Sequence, residues 1–275
     1  MTTAARETSH AELGGVKVRW RTAGSGSPVF LLHGMGASLY SFRSQFEAFA
    51  ARHTVHCFDW PGYGPSDQPA DFDYSPEGYS RFLTGHMDRL GIDRAHLVGN
   101  SMGGLISIWT AMHRSSRVDK LVLIDAPVYP ADKPGILWPL RWPVVGALYA
   151  SVVGPWAVPT VARSVFVDKS VVTDEMVAEY SESFRRPGGI RAVRTFLQRA
   201  VPPDPKAYTD RYKELTHPTL VLRGEHDAVV RQESVERFAK EHPKARLVVL
   251  PGLGHAPHEE RPETVNPLIL DFLAS

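Results

Sequence analysis

The chain has a single cysteine, Cys57, in 275 residues. That excludes an internal disulfide, and its place in the apolar run 53–59 makes it a small buried hydrophobe. Nowhere does a run of about 18 apolar residues occur, so no membrane span is expected. Residues 1–10 carry no apolar signal core, which predicts a cytoplasmic protein. An excess of one charge is missing too. The net charge is +1 and no lysine or arginine cluster would track phosphates, which argues against nucleic-acid binding. Neither H-x-x-x-H nor H-E-x-x-H spacing is present, so no metal is expected, and no other cofactor. Internal repeats and low-complexity tracts are absent.

What is present is an ordinary globular composition, 43% apolar, at a length that suits one large α/β domain with an inserted subdomain. Short apolar runs punctuated by glycine and proline alternate with helical patterns. Strands are predicted over 16–20, 29–32, 54–59, 95–98, 120–124, 219–222 and 246–250. Ser75-Pro76 starts a helix, as N-cap and first helical residue, and Tyr79, Phe82, Leu83, Met87 and Leu90 continue it at helical spacing. Pro267 should kink the C-terminal helix. Strands alternating with helices imply a mostly parallel central sheet with helices on both faces.

The rhythm breaks between 127 and 205. Seven prolines punctuate 127–159, together with Trp138, Trp142 and Trp156, and no buried strand is evident. Two helical stripes follow, Met176, Val177, Tyr180 and Phe184, then Ala192, Val193, Phe196, Leu197 and Ala200. Residues 127–205 are therefore expected to form a helical cap on a core made of 1–126 and 206–275. Trp138, Leu140, Trp142, Val144, Val145, Leu148 and Tyr149 suggest an apolar cleft under it.

In such sheets, sites form at the carboxyl ends of the strands. The loops at 33–36, 60–66, 99–104, 125–127, 224–227 and 251–255 all follow strands. Gly99-Asn100-Ser101-Met102-Gly103 fits the G-x-S-x-G nucleophile elbow, whose turn is too tight for side chains at 99 and 103. A serine hydroxyl needs a base as it attacks. His255 on the last glycine-rich turn is the candidate base, and Asp227 is the acid that would fix its tautomer. Asp125, which ends the strand after the elbow helix, is the alternative acid. His33 is expected to hold its glycine loop, and His226 and His258 are expected to be loop residues, His258 solvated.

These elements together resemble the α/β-hydrolase fold family, from about Val16 to the C-terminus. The resemblance rests on His33-Gly34-Met35-Gly36, on Asp59-Trp60-Pro61-Gly62-Tyr63-Gly64-Pro65-Ser66, on the Ser101 elbow, on Gly224-Glu225-His226-Asp227 and on Gly254-His255. It implies an oxyanion hole from the backbone N–H groups of Met35 and Met102. Ser101 separates the chain from the haloalkane dehalogenase and epoxide hydrolase branches, which place an aspartate at the elbow.

The first expectation is a serine hydrolase of small to medium apolar carboxylic esters, with Asn100, Trp138 and Trp142 against the substrate. The alternative is a carbon–carbon bond hydrolase of aromatic ring-cleavage products, whose elbow resembles Asn100-Ser101-Met102-Gly103-Gly104. Those enzymes usually carry a tryptophan after the catalytic histidine, where this chain has Ala256. A third class is a ligand receptor on a hydrolase scaffold. The expected partner is a small molecule.

Overall fold

The computed structural model describes residues 9–130 and 139–275. Eight strands form one sheet: β1 (Ser9–Leu13), β2 (Val16–Ala23), β3 (Pro28–Leu32), β4 (Thr54–Phe58), β5 (Ala95–Asn100), β6 (Val118–Ile124), β7 (Thr219–Gly224) and β8 (Ala245–Leu250), in the order β1-β2-β4-β3-β5-β6-β7-β8. β2 runs antiparallel to both β1 and β4, and every other pairing is parallel. The seven predicted strands are all present, some of them longer at their ends. β1 has no strong apolar alternation and pairs only at the edge.

Continuous apolar runs are needed because both faces are covered. In β3, Val29 and Leu31 face one core while Phe30 and Leu32 face the other. One face is covered by α1 (Arg43–Ala50) and α11 (Pro262–Ala274), through Phe46, Phe49, Val265, Ile269 and Leu273. Cys57 is buried in that layer. The other face is covered by α2 (Pro76–Arg89), α3 (Met102–His113) and α9 (Gln232–Glu241), through Tyr79, Leu83, Met87, Ile106, Val235 and Phe238. α2 starts as predicted, with the Ser75 hydroxyl accepting from the Gly78 N–H. α11 continues through Pro267 rather than ending there.

Between β6 and β7 the described residues contain no strand. They form α4 (Pro143–Val152), α5 (Val158–Val165), α6 (Asp174–Ser181), α7 (Pro187–Arg199) and α8 (Pro205–Thr209). A short α10 (Pro257–Glu260) precedes α11. α5 and α6 share an apolar cluster of Val158, Ala162, Phe166, Met176 and Tyr180, which also takes in Ala256 beside the His255 loop. α7 sends Ala192, Val193, Phe196 and Leu197 into the core over α2 and α3. A partly buried ion-pair network reaches from these helices to the sheet. Arg19 on β2 donates to Asp59 at 2.5 Å and to Glu179 of α6 at 2.8 Å. No single helix among the described residues is long and apolar enough to cross a membrane.

Candidate active site

The elbow follows directly from the packing of β3, β5 and α3. Ser101 sits at φ 51°, and Asp125 at φ 45° is the only other described non-glycine residue at positive φ. A Cβ on Gly99 would lie 2.4 Å from the Gly103 carbonyl carbon, and one on Gly103 would lie 2.0 Å from the Leu32 oxygen. Only hydrogen fits at either position, so the chain turns sharply enough to lift Ser101 above the sheet. Met102 is the first residue of α3, which aims the N-terminal backbone N–H groups of that helix at the cavity.

The 224–227 and 251–255 loops touch at Gly224, where a Cβ would lie 2.0 Å from the Gly254 oxygen. That approach brings Asp227 to His255, with Asp227 Oδ2 3.0 Å from His255 Nδ1. Asp227 is also ordered by two backbone donors, Val229 N–H at 2.7 Å and Val230 N–H at 3.2 Å, both on Oδ1. Burial alone would raise this carboxyl, but the charge and hydrogen bond of His255 and a hydrogen bond from Asp125 hold it below the usual carboxylate range. Asp125 is fully buried, and its carboxyl is pushed well above the usual range by burial and then by the charge of Asp227. Asp125, Asp227 and His255 offer oxygen and nitrogen atoms that all lie within 4.8 Å of one another.

Several residues that the sequence reading did not single out hold this arrangement. Arg223 on β7 is buried and donates to four backbone carbonyls, those of Gly224, Glu225, Asp227 and Val230. It clamps the loop that carries Asp227. Glu260 accepts from the N–H groups of Gly254, Val167 and Asp168, while the His255 N–H donates to the Val165 carbonyl. The His255 loop is thereby tied to the end of α5. Glu259 pairs with Arg43 at 2.6 Å and accepts from the Tyr180 hydroxyl. Burial, opposed by Arg43, raises Glu259 to about 7. The only advance signal for these residues was an acidic pair four and five residues after a candidate base and an arginine at the end of a buried strand.

The glycine loop after β3 is fixed by His33, which is fully buried. Its Nε2 accepts from the Trp60 N–H at 3.1 Å, so Nδ1 carries the proton and donates to the Gly34 carbonyl at 2.8 Å. Burial lowers its pKa to about 3, which keeps it neutral.

Two cavities meet at Met35 and Ser101. One, of about 760 Å³ including its mouth, is lined by Met102, Leu105, Val128, Phe196 and Tyr208 among others, with no charged side chain among the described residues. The other, of about 820 Å³, contains His255, Ala256, Tyr180, Phe184 and several residues of α5, with Glu259 as the one carboxyl group among its described residues. Ser101 and His255 thus line the same space, Met35 lines both cavities with Ser101, and Met102 lines the first.

Two expectations are corrected. Trp142 lines neither cavity and is 50% exposed, and Val144, Val145 and Leu148 on α4 also face outward. Only Leu140 of that set is buried among the described residues, and Trp138 lies outside them. α4 is apolar around most of its surface, so its sequence does not encode which face turns inward. Asn100 lines the second cavity, and its amide nitrogen donates to the Ile124 and His255 carbonyls, so it also braces the site. His258 is not solvated. It is fully buried near Phe42, and burial lowers its pKa to about 3. His226 is an exposed loop residue, as expected.

A strand–elbow–helix at Ser101 on a mostly parallel eight-stranded sheet defines the class as a hydrolase of the α/β fold. A sequence profile of the alpha/beta hydrolase fold family matches residues 27–262, and the chain belongs to that family. It is 27% identical to an uncharacterized hydrolase, YugF, of Bacillus subtilis, over 88% of each chain. It is 29% identical to a 2-hydroxy-6-oxo-6-phenylhexa-2,4-dienoate hydrolase of Burkholderia cepacia, over 96% of this chain and 93% of that one. A meta-cleavage product hydrolase from Pseudomonas fluorescens superposes with a TM-score of 0.80 at 27% identity, over 97% of each chain.

Proposed function

We propose that the chain is a serine hydrolase that forms an acyl-enzyme on Ser101 from an uncharged, largely apolar ester. The observation that carries this reading is the meeting of two apolar cavities at Ser101, with a histidine–aspartate pair on one side. His255 Nε2 takes the Ser101 proton as the hydroxyl attacks the carbonyl carbon. Oxygen charge develops toward the Met35 and Met102 N–H groups, each worth about 3–4 kcal/mol of transition-state stabilisation. Asp227 holds Nδ1–H and stabilises the imidazolium. The leaving group occupies the cavity that contains His255, which protonates it. The acyl chain occupies the cavity lined by Met102 and Phe196. Water activated by His255 then releases the acid.

A second reading is hydrolysis of a carbon–carbon bond next to a ketone, in which His255 returns the proton to carbon. The names of the relatives weigh toward this reading rather than the first. Against it stand Ala256 after the histidine and the absence of lysine or arginine among the described residues lining either cavity. The dienoate named for the Burkholderia relative carries a carboxylate that such a cation would bind.

A panel of p-nitrophenyl esters from acetate to palmitate, run beside 2-hydroxy-6-oxo-6-phenylhexa-2,4-dienoate, separates the two. The ester reading expects kcat/KM to peak at a short or medium acyl chain and to exceed that for the dienoate. Preferential turnover of the dienoate would replace it with the second reading.

A further inference from the structure

Asp125 and Asp227 are two buried carboxyl groups in hydrogen-bond contact, next to His255. Two such groups cannot both ionise in a site closed to water, so the pair holds one proton. The donors around them decide where it sits. Asp227 receives three, from Val229 N–H, Val230 N–H and His255 Nδ1. Asp125 receives one, the Gly224 N–H, shared between its oxygens at 3.1 and 3.3 Å. The carboxylate with more donors keeps the charge. The other charged group acting on Asp125 is Arg223, whose guanidinium is spent on backbone carbonyls. Asp125 is held in this role at a backbone cost, since its φ of 45° is rare outside glycine and is tolerated best by asparagine and aspartate.

We infer that Asp125 is a positioning residue which carries the pair's proton, donates it in a hydrogen bond to Asp227, and can replace Asp227 as the partner of His255 when that carboxylate is removed. The inference rests on the Ser101–His255–Asp227 reading and adds a fourth member to it. Once Asp227 is gone, burial still disfavours a charge on Asp125, but the neighbouring negative charge is removed and an imidazolium at His255 would favour it. One Asp125 oxygen already lies within 4.8 Å of a His255 ring nitrogen.

Two measurements test it. The first needs only the intact chain with ¹³C-carboxyl aspartate. At pH 8 one aspartate carboxyl should give the chemical shift of the protonated acid, and the signal should vanish in Asp125→Asn. Asp59, raised to about 6, is ionised at that pH and does not interfere. Absence of a protonated aspartate, or its survival in Asp125→Asn, would overturn the assignment.

The second is the rate at which a fluorophosphonate probe labels Ser101, which does not depend on knowing the substrate. Removing a triad acid costs about 10⁴-fold where nothing replaces it. Here Asp227→Ala should cost about 10²-fold, and Asp125→Asn/Asp227→Ala about 10⁴-fold. Asp125→Asn keeps a donor to Asp227 and should label about tenfold faster than Asp125→Gly, which relieves the positive φ but removes the donor. Equal rates for Asp227→Ala and the double variant, or for the Asn and Gly variants, would refute the role. Loss of labelling in Ser101→Ala shows that the underlying serine reading holds. Unchanged labelling there would sink that reading instead.

Discussion

At the scale of single residues, the strained positions coincide with the chemistry. Ser101 and Asp125 are the two described non-glycine residues at positive φ, and both sit at the ends of central strands. Ser101→Ala and His255→Ala are each expected to lower kcat by about 10⁵-fold or more, with KM little changed, in p-nitrophenyl butyrate hydrolysis. Retention of a tenth of the activity by either would remove that residue from the mechanism. Gly103→Ala should fail through folding, because its Cβ meets the Leu32 carbonyl at 2.0 Å. Soluble expression and melting temperature check that. The elbow, His255 and the two acids were legible in sequence because each lies directly after an apolar run and carries a side chain with few other uses in a tight turn. His258 was not legible. Its burial depends on Phe42 and Gln45, which are more than 200 residues away in the chain and approach only after folding.

At the scale of elements, the site is held by loops tied to one another through charged groups bonded to backbone. Glu260 is the clearest case, as one carboxylate accepts from three N–H groups on both sides of the His255 loop. Glu260→Gln places an amide donor against at least one of them. The expected result is a loss of about 1–3 kcal/mol in stability together with a fall in kcat, since the His255 loop is what loosens. Urea unfolding and ester kinetics on one preparation check both effects. A stability loss with kcat unchanged would show that the loop does not need this tie. Amphipathic helices such as α7 could be placed from sequence because their stripes have a phase, and Ala192, Val193, Phe196 and Leu197 are buried as a set. α4 has no such phase, so nothing in its sequence shows that Val144, Val145 and Leu148 face outward, with Trp142 just before it half-exposed as well. β1 escaped detection because its apolar alternation is weak, although its partner β2 follows after two residues, whereas Phe42, Phe46 and Phe49 of the α1 region do lie at helical spacing and were not read.

At the scale of the whole molecule, the sheet collects loops from β3, β5, β6, β7 and β8 at one edge and buries an unusual number of histidines behind them. Burial lowers His33 and His258 to about 3, and His56, His86, His96 and His242 to about 4. The unfolded chain takes up these protons near pH 6.5 and the folded chain does not. Each such group therefore removes about 1.4 kcal/mol per pH unit as the pH falls below that value, until its folded-state pKa is reached. Asp59, raised to about 6, and Glu259, raised to about 7, act with the opposite sign and regain stability on acidification. The histidines outnumber them, so the urea midpoint should be lower at pH 5 than at pH 7.5. An equal or higher midpoint at pH 5 would mean that the buried imidazoles are protonated in the folded chain.

The proposed function turns on attack by Ser101 on a carbonyl carbon. The direct test is rapid-quench mass spectrometry of the wild-type chain during p-nitrophenyl butyrate turnover. A burst of p-nitrophenol stoichiometric with the chain and a butyryl group on the peptide that contains Ser101 are expected. Steady turnover with no acylated Ser101, at a rate that Ser101→Ala reproduces, would contradict it.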